Sequence, residues 1–153
     1  MVHNPPIGAP RIFARLAYKD IDEAICFLEA AFGFSERVDA RTTDGSGRVM
    51  LTELDVLDSR IMVGHEGAHG IASPKTLGGS THALIVYVDA IDDHYAQAIA
   101  NGAEIVSTPS DQFWGDRRYE AKDNEGHLWS FHQHMRDVSA EEMKKALLAL
   151  RQR

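Results

Sequence analysis

Cysteine is nearly absent: Cys26 is the only one in 153 residues, so no internal disulfide can form and stability has to come from packing. Cys26 stands among Ala24, Ile25, Phe27 and Leu28 in a helical pattern, which predicts a buried structural thiol rather than a nucleophile. Positive charge is also short. Lys and Arg number 16 against 23 Asp and Glu, giving a net charge of -7 and a pI near 5.5. The cations are scattered, and a nucleic-acid partner would need them gathered into a stripe. No apolar run approaches the length of a bilayer span, and Met1 to Pro10 has neither a basic n-region nor an apolar h-region. The expectation is a cytoplasmic protein with no membrane partner. The sequence holds no GxGxxG, Walker loop, CxxC or GxSxG pattern, so nucleotide-dependent and acyl-enzyme chemistry find no motif to rest on.

The rest of the composition is ordinary: 44% hydrophobic and 25% charged, as in a globular domain. Residues 1–10, with Pro5, Pro6, Gly8 and Pro10, read as an extended leader. A strand follows over 11–18. Asp20 and Glu23 have the spacing of a capping box, and Ile21, Ile25, Leu28 and Phe32 recur at helical spacing up to Gly33. Residues 34–41, 48–54 and 60–63 read as strands split by turn-rich segments, so the first unit is βαβββ over 11–64. Residues 65–80 are rich in glycine and read as a linker.

The pattern then repeats over 81–134. A strand at 81–88, an expected N-cap at Asp89, a helix over 90–101 and a stop at Gly102 lie 69 residues beyond their counterparts in the first unit. A short strand at 104–107, a loop with Pro109, and strands at 117–122 and 127–132 complete it. The remaining segment, 135–153, contains a second capping box, Ser139 with Glu142, and an apolar stripe of Met143, Ala146, Leu147 and Leu150, which predicts an amphipathic C-terminal helix.

This duplicated frame resembles the vicinal-oxygen-chelate superfamily of glyoxalases, bleomycin-resistance proteins and ring-cleaving dioxygenases. The stretches Asp111 to Arg117 and Asp123 to Ser130 look like its branch of small single-chain proteins associated with phosphonate-utilisation genes. The resemblance implies an α+β fold over 11–134, in which two tandem βαβββ units with flanking helices form a cupped, mostly antiparallel cavity. In that family four residues of the cup hold a metal when one is present. The matching positions here are Phe13, Ile61, His82 and Ser130, of which His82 alone is an ordinary metal ligand. No cofactor is therefore expected. A rearranged divalent site would have to combine His82 and His132 with Glu53 or Glu120.

The family's alternation turns Phe13, Arg15 and Ala17 toward the cup, leaving Arg15 to pair with a carboxylate such as Glu53 or with an anionic ligand. Phe113 and Trp114 on a loop either cover the core or a partner subunit, or line the pocket mouth and stack on a flat ligand. His127 and His134 read as rim residues, and Trp129 as packing on the helix layer. The expected function is metal-free binding of a small molecule by Phe13, Arg15, His82, Phe113, Trp114, Ser130 and His132. The alternative is a metal-dependent glyoxalase-like lyase or isomerase with rearranged ligands. A homodimer is expected because family members commonly complete their cups across an interface, and because the 143–150 stripe and Phe113 with Trp114 need cover.

Overall fold

The structure, a computed structural model, describes residues 2–150. Met1 of the leader and residues 151–153 of the C-terminal segment lie outside the described residues. The first unit comprises β1 (Ala14–Tyr18), α1 (Ile21–Phe32), β2 (Ser35–Thr43), β3 (Val49–Val56) and β4 (Ser59–His65). A 3-10 turn (Ala68–Gly70) and the single-turn α2 (Pro74–Leu77) follow in the linker. The second unit comprises β5 (Ala83–Tyr87), α3 (Ile91–Ala100), β6 (Glu104–Asp111), β7 (Asp116–Lys122) and β8 (Leu128–His134), and α4 (Ala140–Leu150) ends the described chain. Each unit folds into one four-stranded sheet, in the orders β1-β4-β3-β2 and β5-β8-β7-β6. In both, the first and last strands pair in parallel and the other pairs are antiparallel. A parallel pair needs a long crossover, and α1 and α3 begin those crossovers.

Half of the expected capping box at α1 forms: Asp20 Oδ1 accepts from the Glu23 N–H at 3.0 Å, but the Asp20 N–H donates to Glu125 Oε1 at 2.9 Å instead of to the Glu23 side chain. Gly33, at φ 70°, ends the helix in the left-handed conformation. Ile21, Ala24, Ile25, Leu28, Ala31 and Phe32 form the buried stripe. Cys26 is exposed, contrary to the expectation of a buried thiol, because the helical period puts it with Asp22, Glu23 and Glu29 on the outer face. The expected cap at Asp89 is also corrected. The helix α3 starts at Ile91, and its cap residue Ala90 has no side-chain bond to offer. Gln133 Oε1 of β8 accepts from the Ile91 N–H instead, at 3.0 Å. Strand β6 runs on through Pro109, where a loop was expected. Its pairing with β7 is irregular between Ser107 and Ser110, so the missing proline N–H costs no regular ladder bond.

Helices α1 and α3 each pack on the sheet of their own unit and on each other, which joins the units into one core. Phe32 of α1 lies 4.8 Å from Phe131 and 5.7 Å from Trp129 between ring centroids, both on β8. Full burial of such side chains contributes about 1.5–3 kcal/mol each. His94 of α3 fastens the joint: its Nδ1 accepts from the Tyr119 hydroxyl at 2.6 Å and its Nε2 donates to the Phe32 carbonyl at 3.1 Å. Burial pushes its pKa down, which favours the neutral ring those two bonds require. Helix α4 has the expected Ser139–Glu142 box, yet none of its residues is buried. Among the described residues no helix is long and apolar enough to cross a membrane.

One count separates the halves. Two residues lie between β1 and α1, but three lie between β5 and α3. Leu84 and Val86, paired with Trp129 and Phe131, therefore occupy the places that Ala14 and Leu16, paired with Ile61 and Val63, hold in the first sheet. A uniform 69-residue offset would instead have placed Ile85 and Tyr87 in the core. They are 63% and 55% exposed. A slip of one residue turns every side chain of a strand to the other face.

Candidate functional site

The register fixes which side chains line the concave faces. In the first sheet these include Arg15 and Ala17 of β1 and Met62 and Gly64 of β4. Gly64 has a structural reason to lack a side chain: a Cβ there would run into the Arg15 guanidinium, which lies across it. The expected Arg15–Glu53 pair does not form. Glu53 lies 3.4 Å from Arg60 and 3.8 Å from Arg37, while Arg15 Nη1 donates to the Ala68 carbonyl at 3.4 Å. Arg15 and His82 line a small cavity of about 190 Å³ walled by the linker, with Ile71, Pro74 and Leu77. Phe13 is half-buried just ahead of β1. Ile61 turns into the core, so Met62 takes the place expected for it on the concave face.

On the second sheet the concave face carries Ile85, Tyr87, Ser130, His132, Arg118 and Glu120. Its centre is Asp116 at the start of β7. The turn before it is set by Gly115 at φ 100°, where a Cβ would strike the Arg136 carbonyl, and by the Gln112 N–H donating to the Asp116 carbonyl at 2.7 Å. That turn throws Trp114 onto the same face. Asp116 Oδ2 accepts from Tyr87 Oη at 2.9 Å, Trp114 Nε1 at 3.0 Å and His132 Nδ1 at 3.2 Å, and Oδ1 accepts from His134 Nδ1 at 2.9 Å. Burial alone would raise the carboxyl pKa, but the bonds from His134, His132, Tyr87 and Trp114 hold it at about 2. His134 is raised in return by Asp116 and Asp137. His132 Nε2 lies 2.9 Å from Ser130 Oγ. The Arg118 guanidinium lies 5.6 Å from the Trp114 ring centroid, and Phe113 meets Trp114 edge-on at 5.0 Å. Half-buried Phe113 also borders a recess with Ala146, Ala149 and Leu150 of α4.

Of the expected site residues, Trp114, Ser130 and His132 come together on the second sheet, and Arg15 and His82 share the linker cavity. Asp116, Tyr87 and Arg118 were not foreseen. Only strand parity around Arg117 to Lys122 could have pointed to Asp116 and Arg118. His127, expected at the rim, is buried, its ring 4.3 Å from the Tyr18 ring between centroids and its Nδ1 3.2 Å from Asp123 Oδ2.

The metal quartet does not fit. On the concave face its positions hold Phe13, Met62, Ala83 and Ser130, because the register replaces Ile61 and His82. Four such side chains offer one hydroxyl and a thioether, not the three or four donors a divalent ion requires. The rearranged set fails too. His132 pairs with Tyr87, five residues along the strand direction from His82, a separation of about 16 Å at roughly 3.3 Å per residue. Glu53 stands on the other sheet, tied to Arg60, and Glu120 accepts from Ser107 Oγ at 3.3 Å. Among the described residues no three His, Cys, Asp or Glu side chains are set to hold a metal.

Two paired sheets with this strand order, each crossed by one helix and each offering a concave face, define a class. The chain belongs to the glyoxalase/bleomycin resistance protein/dioxygenase superfamily, whose family model matches residues 11–131. The chain is 33% identical to TioX from Micromonospora sp. ML1, with a TM-score of 0.65 covering 85% of this chain and 100% of TioX. It is 17% identical to TnmS3, an antibiotic binding protein from Streptomyces sp. CB03234, with a TM-score of 0.61 over 80% of this chain and 93% of that one. The uncharacterized protein Rv0887c of Mycobacterium tuberculosis is 28% identical over 143 residues, 90% of this chain and 82% of the relative.

Proposed function

We propose that the protein binds a small, flat, anionic molecule without a metal, on the concave face of the second sheet. The observation that carries this reading is the open half of the Asp116 network. Trp114 and Tyr87 are fixed by bonds to one carboxylate, and Arg118 lies over the Trp114 ring, so a rigid aromatic wall stands beside a cation. Tyr87 and Ile85 are exposed there, an apolar surface suited to a planar ligand. That TnmS3 is an antibiotic binding protein is consistent with sequestration as a role for the fold. The stretches Asp111 to Arg117 and Asp123 to Ser130 support the finer assignment to the phosphonate-associated branch, and they contain Trp114, Asp116 and Ser130 of the site. A cytoplasmic location fits the composition.

The test is a calorimetric titration with naphthalene-1-sulfonate in EDTA. Saturable binding that weakens about tenfold in Trp114→Ala, from loss of roughly 1.5 kcal/mol of ring contact, supports the site. Equal affinity in wild type and variant, or no binding, overturns it. We also propose a homodimer, because Leu147, Leu148 and Leu150 leave apolar surface on α4. Light scattering is expected to give twice 17.0 kDa, and a monomer mass would remove the dimer.

A further inference from the structure

Ser130, His132 and Asp116 form a continuous hydrogen-bonded chain. Ser130 and His132 are two apart on β8, so their side chains stand on one face, and Asp116 opens the neighbouring strand β7. Ser130 Oγ is 2.9 Å from His132 Nε2, and His132 Nδ1 is 3.2 Å from Asp116 Oδ2. An ionised carboxylate only accepts, so the shared proton sits on Nδ1. That tautomer leaves Nε2 with its lone pair toward the Ser130 hydroxyl.

We propose that these three residues are a nucleophile, a general base and its positioning residue, and that the cup hydrolyses small carboxylic esters through an acyl-Ser130 intermediate. The inference rests on the second-sheet face being the ligand site, and adds a reaction to it. Ser130 Oγ bonds to the ester carbonyl carbon as its proton passes to His132 Nε2, and the carbonyl electron pair moves to oxygen. Collapse expels the alkoxide, which takes the proton from His132. Water then attacks the acyl carbon, gives its proton to His132, and Oγ leaves with that proton, releasing the acid.

The surroundings suit the step. Arg118 faces His132 across the β7–β8 ladder, and its Nε is buried with no hydrogen-bond partner among the described residues, a free donor for the developing oxyanion. Glu120, opposite Ser130, lies 3.8 Å from the same guanidinium, which offsets its charge. Ser130 is only 3% exposed, and its β5 neighbour Ile85 is the open side by which an ester would approach. Tyr87 and Trp114, with ring centroids 5.4 and 6.5 Å from His132, favour aryl over alkyl esters.

The experiment combines p-nitrophenyl acetate hydrolysis with diisopropyl fluorophosphate labelling read by peptide mass spectrometry. The expected result is a burst of about one p-nitrophenolate per chain, an adduct on Ser130, and loss of both in Ser130→Ala. Asp116→Asn is expected to lower kcat on the order of a thousandfold or more while KM stays within about threefold, the split that separates positioning of His132 from loss of fold. Wild-type turnover no faster than that of Ser130→Ala, or an adduct on any other residue, overturns the proposal. Should either variant unfold, the site of the adduct on the wild type decides alone. A wild type that binds naphthalene-1-sulfonate but is neither labelled nor active refutes hydrolysis and leaves the binding reading standing; one that does neither refutes both.

Discussion

Asp116 and Asp123 flank the same strand, and each gathers a tyrosine hydroxyl, a tryptophan Nε1 and a histidine Nδ1. For Asp116 these are Tyr87, Trp114 and His132, and for Asp123 they are Tyr18 at 2.6 Å, Trp129 at 3.1 Å and His127 at 3.2 Å. Their surroundings differ. Tyr18 and Trp129 have no exposure at all, whereas Tyr87 is more than half exposed. Asp123 also accepts from the backbone N–H groups of Glu125 and His127, shaping a turn from which the Glu125 carboxylate accepts the Lys19 and Asp20 N–H groups. That network ties the second unit to the entry of α1. The same donor set is a clamp where the core seals it, and a candidate site where one side faces the concave surface.

The contrast is sharpest in stability. Asp123→Ala strands five buried donors, three on side chains and two on the backbone, and is expected to cost about 3–5 kcal/mol in denaturant unfolding. Asp116→Ala, beside an open face that water can enter, is expected to cost about 1–2 kcal/mol. Equal losses would erase the distinction between clamp and site. A smaller effect separates the tyrosines. Tyr18→Phe removes a fully buried bond and is expected to cost about 1–3 kcal/mol, while Tyr87→Phe is expected to stay near 0.5 kcal/mol.

The two carboxylates also differ from His134 in acid. Asp116 sits at about 2 when folded, below its unfolded value near 4, so its contribution is complete above about pH 4 and is lost as pH falls toward 2. The folded pKa of Asp123 is lowered as well: burial opposes this, but the His127, Tyr18 and Trp129 bonds prevail, so its contribution fades in the same direction. His134 runs the opposite way: raised when folded, it adds stability below its unfolded value and loses it as pH rises through the folded one. Tm against pH for Asp116→Asn should be flatter than wild type between pH 4 and 2. Superimposable profiles would mean that Asp116 is not held low by its donors.

Much of the fold was legible because its signals are local. The Asp20 cap, the Ser139–Glu142 box, the glycine stops and strand alternation specify elements without reference to anything distant. The site was less so. Its faces depend on one added residue between β5 and α3, which a repeat offset averages away, and that residue moves Ile85 and Tyr87 out of the core and His82 away from His132. Ser130 and His132 were visible as candidates by position. Their partner Asp116 was not, since a carboxylate at a hairpin turn reads as a solvated turn residue until β7 and β8 are in register.

The central claim is that the second-sheet face binds its ligand without a metal. Trp114 fluorescence tests it most directly, taking the difference between wild type and Trp114→Phe to subtract the buried Trp129 signal. Titration with naphthalene-1-sulfonate should give saturable quenching with the same midpoint in EDTA and in added zinc. Quenching that appears only with zinc, or an EDTA midpoint more than about tenfold weaker, would contradict the account.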